Sequence, residues 1–431
     1  MTLFGLPQAA LLTCLFFIGA VVGGFLNTCI DRIPRYDRFA DQLKSLLRWP
    51  WIDPWCGCHG SSARRPRLAG WFMPGVRGVV FRHGAPARYG LVEVLNGAFF
   101  ALLYWYEVPA DSKATITAGP FFATMLIEAK NFSPEAAAVF VHMKYVYHLV
   151  LIESLIAATF IDFDRKIIPD ATTLPAMVVG LIGAFAAGTM YLVPVWFQDT
   201  GVSFTMRNSL PDFLHPLFPA TRVPAWIFAS PHWHGLAVSV AGLLVGGASI
   251  WGIRLIGQWV LRQEAMGFGD VILMAVIGSF LGWQPTLVVF FIAPALALVV
   301  VMFSWIFRRQ REIPYGPYLS LATIFVLFGW QTIWEKSERF FDLGPLLALF
   351  GLFAAAVLAV SLMSMQLAKR LLGFKLAESE WIEEWTSADQ LKQFAGDKID
   401  EEQHGPFRAD WPGIAAGRGI LFEQRWRGDG P

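Results

Sequence analysis

The sequence of 431 residues is 55% hydrophobic and only 16% charged, and its formal net charge is +1. Ordinary soluble domains carry about 25% charged residues, so this composition excludes a disordered chain and argues against a soluble globular enzyme. The near-zero net charge also argues against a nucleic-acid partner. We therefore expect a membrane protein in contact with lipid.

Nine apolar segments are candidates for membrane helices, each of which needs about 20 mostly apolar residues. The segment at 90–106 is short and contains Glu93 and Asn96. A Gly-Trp-Gln-Pro sequence at 282–285 divides the long run at 271–307 into two helices. The predicted fold class is all-α, a polytopic transmembrane helical bundle of eight to nine spans with a cytoplasmic loop domain. The candidate spans are 7–29, 90–106, 136–160, 172–196, 236–261, 271–284, 286–307, 316–334 and 344–368.

The distribution of Lys and Arg predicts the orientation in the membrane. Residues 31–89 contain eleven basic residues against four aspartates, a net charge of +7. Since cytoplasmic loops carry an excess of Lys and Arg, this segment is expected to be cytoplasmic, with the N-terminus outside. The first apolar run has neither a basic n-region nor a cleavage site, so we expect a retained span rather than a signal peptide.

The alternation of spans divides the chain into four parts. The tail has mixed charges, and its stretch 376–404 could form a helix. The parts are 1–30, the first transmembrane helix; 31–89, the basic cytoplasmic loop domain; 90–368, the transmembrane core with external insertions at 107–135 and 197–235; and 369–431, the cytoplasmic C-terminal tail.

Two aspartates lie at the ends of predicted spans on the same, cytoplasmic side. Asp162 follows the third span in TFIDFDRKIIPD, and Asp270 opens the sixth in EAMGFGDVILM. Ionisable groups near a bilayer are costly and indicate function. Two carboxylates held close together share one proton, so one can activate water while the other polarises a peptide carbonyl, as in an aspartic protease. Gly267 and Gly269 permit backbone that a side chain would forbid, and they are the candidate substrate-binding residues.

Other interpretations of these acids remain open. An acid at a helix end can be a solvated cap, and Asp170, which precedes a span, looks like an N-cap. Asp164 competes with Asp162, but it can pair with the adjacent Arg165 and Lys166. A rival function is a proton- or ion-coupled transporter that uses the aspartate pair as its ion site. Transporters usually place such acids near the bilayer midplane, so the position at one membrane edge favours a peptidase.

Five stretches, in order along the chain, resemble the motifs of the type IV prepilin peptidases, which are GxGD-type aspartic proteases of pilus and type II secretion systems. In the second stretch Gly90 replaces the proline that is usual in that family. Together the five stretches touch most of the predicted helical core. They are GAVVGGFLNTCIDRIPR (19–35), RYGLVEVLNG (88–97), IDFDRKIIPDATTLP (161–175), EAMGFGDVILMAVIGSFLGWQ (264–284) and IPYGPYLSLA (313–322).

The resemblance implies an activity and its residues. By position, Asp162 and Asp270 correspond to the two catalytic aspartates of an aspartic endopeptidase of the bacterial inner membrane. Its substrates would be prepilins or pseudopilins, whose short basic leader is cut after a glycine at the cytoplasmic face. Proteolysis of this kind needs no cofactor, and many members also methylate the new N-terminus with S-adenosylmethionine. The particular substrate and the oligomeric state are not assigned by the sequence.

Two departures from the family pattern bear on this expectation. The cytoplasmic loop of the family usually holds two Cys-x-x-Cys pairs, a tetrahedral zinc pattern, whereas Cys56 and Cys58 form a single Cys-x-Cys. A zinc site completed by His59 and His83 is one alternative; a metal-free loop, which we favour, is the other. Ile272 also replaces the usual Lys two residues after the second Asp. An inactive relative that acts as an assembly scaffold is therefore a further rival.

The remaining intramembrane polar residues are expected to have structural roles. His142, Lys144 and His148 are expected to face the membrane interface or to be satisfied in the core. Asn27 and Glu93 are expected to tie helices together.

Overall fold

The described residues form α-helices and 3-10 turns, and they contain no β-strand. This confirms the predicted all-α class. The computed structural model describes residues 7–36, 38–47, 88–108, 134–196, 200–217, 225–261, 266–307, 314–344 and 346–372. The helices are α1 (Gln8–Arg32), α2 (Phe39–Leu47), α3 (Arg88–Glu107), α4 (Pro134–Arg165), α5 (Asp170–Ala187), α6 (Thr200–Ser209), α7 (Ala225–Ala229), α8 (Pro231–Leu261), α9 (Phe268–Leu281), α10 (Trp283–Phe307), α11 (Gly316–Phe341) and α12 (Leu346–Leu371), with 3-10 turns at Ile33–Arg35 and Asp212–Leu217.

Each of the nine predicted spans coincides with a helix, and seven of these helices are long and apolar enough to cross a membrane. The chain is thus a multi-pass membrane protein. The two exceptions are α3, which buries Glu93, Asn96 and Glu107, and α9, which has 14 residues. At 1.5 Å per residue α9 is about 21 Å long, shorter than a hydrocarbon core of about 30 Å. The seven are α1, α4, α5, α8, α10, α11 and α12.

The fourth predicted span, 172–196, was wrong at its C-terminal end. Helix α5 stops at Ala187, because Gly188 takes a left-handed conformation with φ 71° and closes the helix with a bond from its N–H to Ala184. A left-handed residue at this position is a common helix stop. Beyond it the backbone N–H of Val195 donates to His234 at 3.1 Å, so this stretch packs on α8 instead of continuing α5.

The segment predicted as an external loop, 197–235, is partly helical. It contains α6, a 3-10 turn and α7, and α8 already begins at Pro231. The predicted break after the sixth span is confirmed, since α9 ends at Leu281 and Gly282 has a left-handed φ of 86°. The break is narrower than the predicted four residues, because Pro285 lies in the first turn of α10, where proline costs no hydrogen bond.

Helix α4 is the most deeply buried span, and its Leu151, Ile152 and Ile161 have no exposed surface.

Small residues let other helices approach closely: a Cβ on Gly242 of α8 would lie 2.0 Å from the carbonyl oxygen of Gly278 on α9. Close approach of small residues is a common way for membrane helices to associate.

Polar ties join α1 to α3, as predicted for Asn27. The side-chain amide of Asn27 donates to the Tyr89 carbonyl at 3.1 Å, and that of Asn96 donates to the Gly19 carbonyl at 2.9 Å. These bonds therefore hold α1 and α3 together.

The chain divides into two compact units. The first comprises Met1–Trp259 and Glu264–Ala359, and the second comprises Val260–Gln263 and Val360–Pro431. The described part of the second unit consists of the last residues of α8 and the C-terminal part of α12. Every residue of the candidate site lies in the first unit.

Candidate functional site

The candidate site forms where one helix ends and two others begin. Asp162 lies in the last turn of α4, and Asp270 lies in the first turn of α9. Helix α11 begins at Gly316, whose backbone N–H donates to Oδ2 of Asp162 at 3.0 Å. The structure thus gathers residues more than 150 positions apart in the chain at one end of the bundle, which we call the site end.

Asp162 is buried, with 6% of its surface exposed. Gly316 makes this burial sterically feasible, because a Cβ at that position would lie only 2.5 Å from Oδ2 of Asp162. The amide of Gly316 also supplies a donor to a carboxylate that has little contact with water. A hydrogen bond of this kind favours the ionised form of a buried acid.

Asp270 is partly buried and lies close enough to Asp162 for the two carboxyl groups to interact electrostatically. It accepts a hydrogen bond from the backbone N–H of Gly267, the N-cap of α9. A carboxylate in the first helical turn is stabilised by the free N–H groups there. Two neighbouring carboxylates do not both ionise easily, so the pair is suited to hold one proton between its members.

Ile168 lies between the beginnings of α9 and α11. A Cβ on Gly269 would lie 2.9 Å from Cβ of Ile168, and a Cβ on Gly316 would lie 3.4 Å from its Cδ1. The connection from α4 to α5, which carries Ile168, therefore packs directly on both glycines. This packing sets how far apart the two helix starts can lie.

Tyr315, the N-cap of α11, also belongs to the site. Burial and then the charge of nearby Asp270 raise the pKa of the Tyr315 hydroxyl above its usual value. The hydroxyl therefore stays protonated at neutral pH and remains a hydrogen-bond donor close to Asp270.

The two glycines before Asp270 differ from each other. Gly267 has φ −66° and ψ 145°, a conformation open to any residue, and a Cβ there would only reach ordinary contact with Asp270 at 3.4 Å. The backbone conformation at Gly267 therefore does not require a glycine. Gly269 does need its missing side chain, but the close neighbour that the structure shows is Ile168.

The two competing acids have surroundings of their own. Asp164 forms an ion pair with Arg88 of α3, a partner that the sequence did not predict. Asp170 is the first residue of α5, and the N-cap is Pro169, without a side-chain cap bond. The N-cap role expected for Asp170 was therefore wrong.

Three exposed apolar side chains adjoin residues of the site along the chain, and we call them the apolar rim. Phe163, Ile167 and Phe268 are all exposed, although each is a direct neighbour in sequence of a residue of the site. Such a rim can contact an apolar peptide segment or lipid. A peptide bond held at this edge could thus meet both carboxyl groups.

Sequence reasoning did not assign roles to Gly316, Tyr315 or Ile168. The signal was present, because 313–322 is one of the stretches that resemble the family motifs. The described residues include no group of three or more His, Cys, Asp or Glu side chains that could hold a metal. Cys56, Cys58 and the predicted zinc alternative lie outside the described residues.

Two family models match the chain in the order expected for one protein. The bacterial peptidase A24 N-terminal domain matches residues 17–107, and the type IV leader peptidase family matches residues 210–302. The second range contains Asp270, whereas Asp162 lies outside both ranges. The inclusion of Asp162 in the site therefore rests on its contacts in the structure.

Several curated proteins are similar to the chain over most of their length. A "Type 4 prepilin-like proteins leader peptide-processing enzyme" of Escherichia coli O78:H11 is 29% identical over 323 residues, which are 72% of this chain and 91% of the relative. A "Prepilin leader peptidase/N-methyltransferase" of Neisseria gonorrhoeae is 24% identical and covers 77% of this chain and 93% of itself. A protein of the same name from Stutzerimonas stutzeri is 23% identical, with 75% and 90% covered.

No solved structure matches the chain. The helical fold and the family matches together define a multi-pass membrane protease. Within that class, the family matches and the curated relatives support a type IV prepilin peptidase.

Proposed function

We propose that the protein removes the leader peptide from type IV prepilins or type II secretion pseudopilins, with Asp162 and Asp270 as its catalytic pair. The observation that carries this proposal is the meeting of the two carboxyl groups at the ends of α4 and α9, with the Gly316 amide bound to one of them. The names of the curated relatives support prepilins as the substrate class.

The chemistry follows from a pair that holds a single proton. The ionised carboxylate takes a proton from water, whose oxygen attacks the peptide carbonyl, while the protonated partner donates a hydrogen bond to the carbonyl oxygen. When the tetrahedral intermediate collapses, the C–N bond breaks and the leaving nitrogen takes a proton from the pair. One water is consumed, and the pair again holds one proton.

The position of the pair favours a peptidase over a transporter. Asp162 lies three residues before the end of α4, and Asp270 is the third residue of α9. Transporters usually bind ions near the middle of the bilayer, between broken helices. A pair at helix ends, with an apolar rim, fits a peptide bond at the membrane edge.

We also propose that the site end is cytoplasmic and that the N-terminus lies outside, in the inner membrane of a bacterium. The excess of basic residues in 31–89 supports this orientation. Single cysteines introduced at Phe163 and at Phe204 of α6, in a chain without native cysteines, test it in intact spheroplasts. A membrane-impermeant maleimide should label the second and spare the first; the opposite pattern would reverse the orientation.

Cleavage of a co-expressed prepilin tests the activity. Asp162→Asn and Asp270→Asn are each expected to abolish leader removal, because neither amide can take up or share the proton. The matched control is Asp170→Asn, an exposed acid at the same end of the bundle. Leader removal by both active-site variants would refute the mechanism. No cleavage by the unaltered protein of any prepilin of its host would favour the scaffold alternative.

A second candidate activity is methylation of the new N-terminus. Relatives are named as prepilin leader peptidase/N-methyltransferase, which supports S-adenosylmethionine as the methyl donor. Mass spectrometry of the mature product, with and without S-adenosylmethionine, measures the activity directly. An unmodified product in both reactions would restrict the protein to proteolysis.

A further inference from the structure

A bridge of charged side chains from three helices lies beside Asp162. Arg88, at the start of α3, donates through one terminal nitrogen to Asp164 on α4 and through the other to Asp31 on α1, at 2.8 Å. Tyr89 donates its hydroxyl to the second oxygen of Asp31 at 2.7 Å. The side chains of Arg88 and Asp31 are 23% and 12% exposed, so solvent screens this arrangement only in part. We call these four side chains the Arg88 bridge.

The Arg88 bridge acts on the helical turn that carries Asp162. The last carbonyl groups of a helix lack partners within the helix, so a terminal turn frays easily. Helix α4 ends at Arg165, and Lys166 has a left-handed φ of 55°. Because Asp164 lies in that same turn, its bond to Arg88 holds the turn against α1 and α3.

A second arginine holds the turn before Asp270. Arg254 of α8 donates to the backbone carbonyl of Met266 at 3.0 Å, and its guanidinium lies over the ring of Phe268, 5.9 Å from the ring centre. Met266 and Phe268 flank Gly267, whose N–H binds the Asp270 carboxyl group. Arg254 therefore fixes the turn on both sides of the group that orients Asp270.

From these contacts we propose that Arg88 and Arg254 are positioning residues for the peptidase reaction, one for each carboxyl group. The inference rests on the proposed function, since it needs Asp162 and Asp270 to react. Catalytic groups must be held within about 0.5 Å of their productive positions. A displacement of about 1 Å can lower the rate about 100-fold. Neither arginine needs to touch the substrate to have this effect.

The guanidinium group explains why arginine serves at both positions. Its planar fork can bind two carboxylates at once, whereas a lysine ammonium is a single point charge. Arg88→Lys should therefore keep a charge but lose one of the two helix contacts. Arg254→Lys should keep a donor for the Met266 carbonyl but lose the planar contact with Phe268.

Steady-state kinetics of leader cleavage by the purified full-length protein test the proposal. Arg88→Gln and Arg254→Gln are each expected to lower kcat about 10- to 100-fold, with KM little changed. Each lysine variant should recover part of the loss. Arg339→Gln is the matched control, because Arg339 is exposed in the last turn of α11, at the other end of that helix from Gly316.

Further variants separate positioning from general stability. Asp164→Asn removes the charge of the Arg88 partner on α4 and should reproduce the loss in kcat. The combination with Arg88→Gln should cost little more than either change alone. If Arg88→Gln does not accumulate, kcat of Arg88→Lys and of Asp164→Asn tests the positioning of Asp162 instead. For Asp270, kcat of Arg254→Lys serves the same purpose.

The possible failures are distinguishable. Unchanged kcat in the arginine variants, with Asp162→Asn inactive, would overturn this inference and leave the proposed function intact. A rise in KM alone would also overturn it, because that result indicates substrate binding. Cleavage by Asp162→Asn would overturn the proposed function and the inference together.

Discussion

Helix α4 carries two buried ionisable groups in very different settings. His148, in its middle, has no exposed surface, and its Nδ1 forms a hydrogen bond with Glu107 of α3, which matches the satisfied core role expected for this histidine. Asp162, in its last turn, has as its charged neighbour Asp270, a group of the same kind. The first pair joins an acid to a histidine, whereas the two acids of the second pair receive hydrogen bonds from backbone N–H groups. Two neighbouring acids at a helix end contribute little to the stability of the bundle, but they are well suited to hold one proton between them.

The largest effect on catalysis among backbone substitutions is expected for Gly316→Ala. The added Cβ would lie 2.5 Å from Oδ2 of Asp162, and rotation of that carboxyl group is the easiest way to relieve the clash. Activity should fall about 100-fold or more, while the protein still folds. Leader-cleavage rates and thermal unfolding in detergent measure the two quantities. Full activity would show that Asp162 need not stay where the Gly316 amide holds it.

A smaller loss of activity is expected for Gly269→Ala. Its Cβ would lie 2.9 Å from the branched Cβ of Ile168, so the backbone on one side must move instead of a side-chain end. Both the unfolding temperature and kcat should therefore fall. The double variant Gly269→Ala with Ile168→Ala should recover part of the unfolding temperature and part of kcat. If neither recovers, a clash with Ile168 is not the cause of the loss.

A still smaller loss is expected for Gly267→Ala. Alanine adopts the observed backbone angles, keeps the N–H that binds Asp270, and meets only ordinary contact at 3.4 Å. The three alanine variants should therefore rank in activity as Gly267 above Gly269 above Gly316. A Gly267→Ala protein less active than Gly316→Ala would indicate that substrate approaches the backbone at Gly267.

The smallest effect on catalysis, and a large one on stability, is expected for His148→Leu. Replacing His148 leaves the buried Glu107 carboxyl group without its hydrogen-bond partner, which typically costs about 1–3 kcal/mol or more, so the unfolding temperature should fall. The kcat of the folded fraction should stay near that of the unaltered protein. Replacing both partners, with Glu107→Met and His148→Leu, should restore much of the stability. A loss of kcat without a loss of stability would contradict the contrast between the two pairs.

The sequence predicted the helices well where local composition decides them. The nine predicted spans all coincide with helices, and the break near Gly282 was recognised from its turn residues. The error at 172–196 has a tertiary cause. The stretch beyond Gly188 is apolar enough to continue a helix, but its backbone forms hydrogen bonds with other helices. The carbonyl oxygen of Val195, for example, accepts a hydrogen bond from the Trp283 indole at 2.7 Å.

The two acids of the site were predictable from the sequence, but the residues that hold them in place were not. Asp162 and Asp270 were assigned to one membrane face by counting charges in distant loops, and the structure brings them together. Arg88, Arg254 and Gly316 act through contacts with residues elsewhere in the chain, for which spacing within a motif gives no signal. Asp164 shows the same limit, because its ion pair with Arg88 of another helix has no signal in the sequence.

Composition and charge by themselves determined the membrane class, the helical architecture and the two acids worth testing. Those properties depend on how many apolar residues stand in a row and where the charges interrupt them, and both are local. Tertiary structure alone decided which backbone amide binds Asp162, which glycine must lack a side chain, and which arginines hold the helix ends. These depend on distances of a few ångströms between helices, and only the packed bundle sets such distances.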